Sequence, residues 1–474
     1  MYIQQFYTQG LSHLSYLLGS SASFAVVDPS RDTQEYLNVA RDMGLTITHI
    51  LLTHLHADFI SGFLDLQETT GATIYAPEAA RCSFDHEPVA EGKTIIMDDL
   101  AIWVRETPGH TPEHISYVVA DRSRGEVPVS VFCGDTLFVG DVGRPDLFPG
   151  MADELAERLY ESLHKKLLTL PDFCEVYPAH GAGSLCGRAI GAKRFSTIGY
   201  ERRYNVALLH PDVQTFKEAL LSNIPDTPDH FSRCSAINAR GPSLVRTLPV
   251  PRPMGPDNFF DAVEKGAIVV DIRDYTAFGG AHVPGSYHLD PAGNFSTFAG
   301  WILPPDRPIL LVGNNDEDIR RATLQLHRVG LDQVEGYLDG GMNAWAVNGK
   351  EIAYVPHMSV HQLKEKLTQG EDLIVLDVRA RGEWDEYHID GAMHIPAPHL
   401  RKRYDEVDTH RPVAVHCNTT HRSSMAASVL KQHGFNNISV VTGGMTAWQA
   451  AGYAEICPVC EAPHLPRLSL HQRY

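Results

Sequence analysis

The second half of the chain is written twice, and this duplication constrains the fold more than any other feature. VVDIRD at Val269–Asp274 returns as VLDVRA at Val375–Ala380, and HVPGSYHL at His282–Leu289 returns as HIDGAMHI at His388–Ile395, both at an offset of 106 residues. YLDGGMNAW at Tyr337–Trp345 returns as VVTGGMTAW at Val440–Trp448. A period of about a hundred residues is the size of a domain, not of a solenoid unit, so each copy is expected to fold round its own core. Within each copy, short apolar runs such as IVVDI and LIVLDV alternate with helix-like stretches such as RRATLQLHRVG and SSMAASVLKQHG. That is the pattern of a small α/β domain with a parallel sheet. The proline-rich TLPVPRPMGP, Thr247–Pro256, reads as a stiff spacer. The expected domains are therefore 1–246, 257–351 and 356–456, with 457–474 as a tail.

A chain of 474 residues exceeds what one hydrophobic core organises, and 43% hydrophobic with 21% charged residues is ordinary globular composition. A formal charge of −18, from 58 acidic against 40 basic residues, speaks against general binding of nucleic acid or anionic membrane. No apolar run reaches the roughly 18 residues of a membrane span, and MYIQQFYTQGLSH lacks the basic head and apolar centre of a secretion signal. A cytoplasmic protein with neither nucleic acid nor membrane as partner is expected, in a dimeric or tetrameric homo-oligomer. Its eight irregularly spaced cysteines do not form a disulfide framework.

The N-terminal part carries strand-like runs (FAVVD, THILLT, AIWVRE, SVFCGD, CEVYPAH) mixed with helical stretches, the last near Phe195–Leu209. Four runs end in groups that bind metals: THLHAD supplies His54, His56 and Asp58, TPGH supplies His110, CGD supplies Asp135 and YPAH supplies His180. Strand ends along one sheet edge bring sequence-distant side chains together on rigid supports. Imidazole and carboxylate suit zinc or iron, and a two-histidine, one-carboxylate set with open positions suits non-haem Fe(II). Cys133 and Cys174 read as buried core.

In that order, THLHAD, TPGHT, CGDTLF and YPAHG resemble the motifs of the metallo-β-lactamase fold over about the first 210 residues. The resemblance implies a four-layer αββα sandwich with a metal at one edge. The two-metal pattern HxHxDH has Phe59 at its sixth position here, which removes a ligand of the second metal. GDVGRPDLF further resembles the persulfide dioxygenase branch. That resemblance implies one Fe(II) per chain on His54, His110 and Asp135, with His56, Asp58 and His180 as supporting groups or alternative ligands. Three histidines would favour zinc. It also implies that Arg144 helps to hold a thiol carrier such as glutathione, where the plain alternative is a surface ion pair.

In the second copy, strand VAVHC leads into Cys417-Asn418-Thr419-Thr420-His421-Arg422-Ser423 and a helix-like run. A cysteine at that junction has its thiolate stabilised by backbone N–H groups and the helix dipole, with Arg422 adding a cation. The loop's N–H groups cradle an anion while sulfur acts as nucleophile. Four residues separate Cys417 from Arg422, one fewer than in the protein tyrosine phosphatases. The shorter loop, with LDVRARGEWDEYHIDGAMHIP and GGMTAW, resembles a rhodanese, except that Thr420 stands where many such loops carry glycine. The resemblance implies that Cys417 carries sulfane sulfur and that Asn418, Thr419, Thr420 and His421 line its anion site. The first copy has LLVGNNDEDIRRA there, with Gly313 for Cys417 and acidic Asp316, Glu317 and Asp318. It is expected to transfer no sulfur and to serve as spacer or docking surface. Cys457 and Cys460 form a lone CxxC, read as tail thiols.

Taken together, the expected function is oxidation of a small persulfide with O₂ to sulfite at a mononuclear iron, coupled to sulfane-sulfur transfer among thiosulfate, persulfide and thiol at Cys417. The alternatives are a zinc-dependent thioester hydrolase of glyoxalase II type fused to a rhodanese, or a non-enzymatic sulfur carrier.

Overall fold

The computed structural model describes residues 1–222, 224, 227–228 and 230–454, so Cys457 and Cys460 lie outside the described residues. The N-terminal part contains two six-stranded sheets. The first runs β1 (Tyr2–Thr8), β2 (His13–Gly19), β3 (Ser23–Val27), β4 (Thr46–Leu51), β5 (Thr73–Pro77), β6 (Glu87–Val89). The second comprises β7 (Thr94–Met97), β8 (Leu100–Glu106), β9 (Ile115–Asp121), β10 (Ser130–Gly134), β11 (Glu175–Pro178) and β12 (Ser196–Thr197), in reverse spatial order.

Strand alternation builds the layers. On β2, Leu14, Tyr16 and Leu18 point to a central cluster shared with Ile102 and Val104 of β8 and Tyr117 of β9, while Leu17 points outward to Tyr36 and Phe63 on covering helices. On the far face, Val131, Cys133 and Val176 pack against Leu159 of the helix Ala152–Glu161 and Phe216 of the helix Val213–Leu221. Helices therefore cover both outer faces of a double sheet, the expected αββα arrangement. Two helices were not expected from the sequence, Val213–Leu221 and His230–Arg240, both beyond the stretch near Phe195–Leu209.

Each repeat carries a five-stranded parallel sheet. In the first it consists of β13 (Arg252–Met254), β14 (Ile268–Asp271), β15 (Tyr287–His288), β16 (Ile309–Val312) and β17 (Val334–Leu338). In the second it consists of β18 (His357–Met358), β19 (Ile374–Asp377), β20 (Met393–His394), β21 (Val413–His416) and β22 (Ile438–Val441). The proline-rich stretch is thus more than a spacer: β13 lies within it and pairs with β17 at the sheet edge, where proline is tolerated.

The chain divides into two compact units, one of residues 1–274 with 282–352, the other built on Tyr275–Ala281 and the residues from Ala353. In the first unit the cysteine-free repeat is tied to the N-terminal part. Ile60 N donates to Arg328 O (2.7 Å), and the buried Arg31 donates to His327 O (2.9 Å) and pairs with Asp332 (3.3 Å). Arg328 pairs with Asp32. No helix among the described residues is long and apolar enough to cross a membrane.

Candidate metal centre and cysteine loop

Strand directions put the N-terminal candidates on one edge. β9 is antiparallel to both β8 and β10, and β11 is parallel to β10, so β8, β10 and β11 end on the same side. They lead to His110, Asp135 and His180, while β4 leads to His54, His56 and Asp58. The bridge between His13 and His180, with Leu14 N donating to Ala179 O (2.7 Å), joins the two sheets beside these ends.

The six residues fall into two buried groups whose ligand atoms lie within 4.8 Å of one another: His54, His110 and Asp135, and His56, Asp58 and His180. In the first group, His110 Nε2 is 3.3 Å and His54 Nε2 3.8 Å from Asp135 Oδ2. Hydrogen bonds decide which imidazole nitrogens stay open. His110 Nδ1 donates to Arg144 O (2.9 Å), which leaves the Nε2 lone pair toward Asp135. Thr53 Oγ1 gives its proton to Asp28 Oδ2 (2.8 Å) and so accepts from His54 Nδ1 (2.9 Å), with the same result. Burial, followed by the neighbouring His56, keeps His54 well below the usual imidazole range, and burial lowers His110. Two neutral imidazoles therefore face one ionised carboxylate: burial opposes the charge of Asp135, but His180, His110 and His54 hold it well below the usual range. Such a donor set fits a divalent transition metal.

His180 is clamped between carboxylates, with Nδ1 2.8 Å from Asp135 Oδ1 and Nε2 2.9 Å from Asp58 Oδ2. Burial works against its charge, yet Asp135 and Asp58 raise it well above the usual range. Phe59 is fully buried and lies tilted against His13 (4.1 Å between ring centres) and His56 (4.5 Å), so an apolar ring occupies the sixth motif position. Arg144 is buried, not superficial. Its guanidinium grips Asp146 at 2.6 and 2.7 Å and donates to Leu185 O (3.2 Å), and its carbonyl orients His110.

Several participants escaped the sequence reading. His114 accepts from Asp135 N (3.0 Å) at Nε2, and burial lowers it to about 3. A Cβ on Gly134 (φ +49°) would come within 2.4 Å of that ring, so glycine is needed beside the carboxylate. Cys186 forms a third group with Asp135 and His180, and burial pushes its thiol far up. His13 sits 5.4 Å from His56 and 5.6 Å from His180, ring to ring. Asn238 donates to His56 O and Phe59 O, both at 2.8 Å. HTPEH carried a signal for His114; the others lack any local motif.

In the second unit, Cys417 follows β21 and is buried, its Sγ 3.6 Å from Ser423 Oγ. Asn418, Thr419 and Thr420 lead to the helix His421–Gln432, whose N-cap Thr420 has φ +89° and makes no side-chain cap. Thr420 Oγ1 instead accepts from Gly443 N (2.8 Å). The first-turn N–H groups of a helix lack intrahelical partners, so an uncapped start leaves them open to an anion. Arg422 pairs bidentately with Glu383 (2.6 and 2.7 Å), which Asn418 also contacts at 2.5 Å. Its charge is thereby compensated locally. In the first repeat, Asp271 pairs with Val312 as Asp377 pairs with His416, so ladder register gives Gly313 the position that Cys417 holds in the second.

The family model described as "Metallo-beta-lactamase superfamily" matches residues 8–180, and that described as "Rhodanese-like domain" matches 256–348 and 359–451. The mitochondrial persulfide dioxygenase ETHE1 of Bos taurus is 32% identical over 200 residues, 41% of this chain and 70% of that protein. A hydroxyacylglutathione hydrolase of Rhodospirillum rubrum is 37% identical over 163 residues, 34% of this chain and 58% of that protein. Among solved structures, a metallo-beta-lactamase from Staphylococcus aureus subsp. aureus COL is 34% identical with a TM-score of 0.64, covering 71% of this chain and 98% of that one.

Proposed function

Because the chain belongs to the persulfide dioxygenase family of the metallo-β-lactamase superfamily, with two rhodanese-like domains following, we propose that it oxidises a low-molecular-weight persulfide and transfers sulfane sulfur. In the first reaction, persulfide, O₂ and water give the free thiol, sulfite and two protons. In the second, the thiolate of Cys417 takes the outer sulfur of thiosulfate, sulfite leaves, and a thiol such as glutathione then accepts that sulfur and frees Cys417. The observation that carries the proposal is the convergence of two neutral imidazoles and one carboxylate beside a buried phenylalanine.

We assign His54, His110 and Asp135 as the residues that would hold Fe(II), one ion per chain, which when bound supplies the redox chemistry with O₂. The remaining work belongs to the protein. Thr53 and the Arg144 carbonyl fix the tautomers, and His180 holds both oxygens of Asp135 in place. Phe59 and His13 close the neighbouring wall. At the second site, the strand end presents sulfur while the uncapped helix start receives an anion.

O₂ uptake by anaerobically Fe(II)-loaded protein on addition of glutathione persulfide, measured with metal stoichiometry, tests the proposal. Uptake with one iron per chain and sulfite as product supports it. The group His56, Asp58 and His180 favours a second reading, a thioester hydrolase with two metal ions. Two zinc ions per chain and O₂-independent cleavage of an acyl-glutathione thioester would establish that reading instead. Asp135→Ala is expected to abolish metal retention and O₂ uptake while leaving thiosulfate:thiol transfer within about two-fold, because single-site losses in independent sites do not propagate.

A further inference from the structure

The proposed reactions give the first repeat no task, yet one of its helices walls a cavity beside the metal group. This cavity of about 50 Å³ is lined by Asp58, Ser184 and Phe231 of the N-terminal part and by Asn294, Thr297 and Trp301 of the repeat. Its volume admits about four water-sized atoms. Thr297 Oγ1 donates to Gly10 O (2.9 Å), anchoring the helix Phe295–Ile302 to the N-terminal part.

Two polar atoms on the lining residues are buried and without a partner among the described residues: the indole Nε1–H of Trp301, a residue 9% exposed, and Asp58 Oδ1. Leaving such groups unsatisfied is costly, so a group that supplies both an acceptor and a donor is favoured beside them. One is a donor and the other an acceptor. A carboxylate would suit the indole but meet the like charge of Asp58, and an ammonium would suit Asp58 but offer nothing to the indole. An amide presents C=O and N–H together, and its few heavy atoms match the volume. The other oxygen of Asp58 forms an ion pair with His180 (2.9 Å), and His180 bonds Asp135, so the cavity lies two side chains from the proposed metal.

We propose that this cavity is the subsite for an amide group of the thiol carrier, and that Trp301 of the cysteine-free repeat determines carrier specificity by donating to the amide oxygen. The inference rests on the persulfide-oxidising reading of the metal site.

The test uses the full iron-loaded chain under nitrogen, titrated calorimetrically with glutathione, which has amides, and 2-mercaptoethanol, which has none. Trp301→Phe is expected to weaken glutathione binding, and to raise KM for glutathione persulfide, about five-fold, the effect of losing one neutral hydrogen bond. Binding of 2-mercaptoethanol, kcat and sulfur transfer at Cys417 stay within about two-fold. In the wild-type protein, glutathione is expected to shift the Trp301 indole N–H resonance, one of five such signals, identified by its absence in the variant. If the variant fails to fold, the wild-type titrations still decide: glutathione bound no more tightly than 2-mercaptoethanol overturns the inference. Equal affinities in wild type and variant, or an unmoved indole resonance, overturn the inference and leave the cavity to water. If the wild type neither binds nor oxidises any persulfide, the metal-site reading falls and this inference falls with it.

Discussion

In both repeats an aspartate at the end of the strand beside the central one, β14 or β19, holds the arginine two residues on, Asp271 with Arg273 at 2.6 Å and Asp377 with Arg379 at 2.7 Å, and a tryptophan, Trp345 or Trp448, sits in the core. The repeats part at the loop after the central strand, β16 or β21. In the first, Asn315 caps the helix Asp316–His327 from φ −160°, accepting from Asp318 N (2.9 Å), and the first turn holds three acidic residues. In the second, Thr420 stands at φ +89°, caps nothing, and no acidic residue follows. A helix start that is capped and negatively charged repels anions; one that is uncapped and neutral receives them. Duplication therefore kept what specifies the sheet and let this loop diverge, and the copy without the cysteine packs on the N-terminal part.

The sharpest break of this comparison is Cys417→Ser. Sulfur transfer should fall by at least about 10³-fold, since a hydroxyl cannot carry sulfane sulfur, while O₂ uptake persists. Transfer at wild-type rate would relocate the nucleophile. The reciprocal change, Gly313→Cys in the Cys417→Ser background, puts a thiol at the matching register position. Ile319 and Ile272 lie 3.0 and 3.2 Å from the added Cβ and need only yield slightly. Transfer should remain below about 1% of wild type, because the capped acidic helix start disfavours both thiolate and incoming thiosulfate. Restored turnover would show that the cysteine alone separates the two copies.

How the sequence spoke differed between regions for a physical reason. His54, His56, Asp58, His110, Asp135 and His180 each follow a strand run within a residue or a short turn, so strand pairing within each sheet and the meeting of the two sheets at that edge bring them together. The parallel sheets of the repeats were legible from the alternation of strand and helix runs, whereas the double sheet of the N-terminal part was implied only by the resemblance of its motifs to the metallo-β-lactamase fold. Asn238 reaches His56 across 182 positions, and Trp301 sits in FSTFAGWI, which reads as ordinary apolar helix. Their roles exist only after packing, and no local pattern announces them. Arg144 was legible as a residue but not as an environment: its burial against Asp146 depends on how the loops on either side close.

The packing of the first repeat can be weakened without touching either site. The Arg31 side chain is fully buried and joins Asp332 to two carbonyls, those of His327 and Ser243. Arg31→Ala removes the cation and leaves Asp332, whose side chain is 25% exposed, partly stranded. The expected cost is about 2–3 kcal/mol, below that of a fully buried pair, read as a lower urea midpoint of the first unit. Sulfur transfer at Cys417 should be unchanged. An unaltered midpoint would mean that the tie contributes no stability.

The smallest effects concern Thr420 itself. A β-branched residue at positive φ costs of order 1–3 kcal/mol, offset here by the bond that its buried Oγ1 accepts from Gly443 N. Thr420→Val keeps the shape and the strain but strands that N–H, and should lower stability by about 1–2 kcal/mol. Thr420→Gly removes strain and bond together, so the two contributions nearly cancel and stability should stay within about 1 kcal/mol of wild type. If the valine variant were as stable as the glycine variant, the Gly443 bond would not be what holds the threonine in this conformation. The strained loop of the second repeat would then owe its geometry to the strand and helix on either side, the same elements that in the first repeat give a relaxed cap.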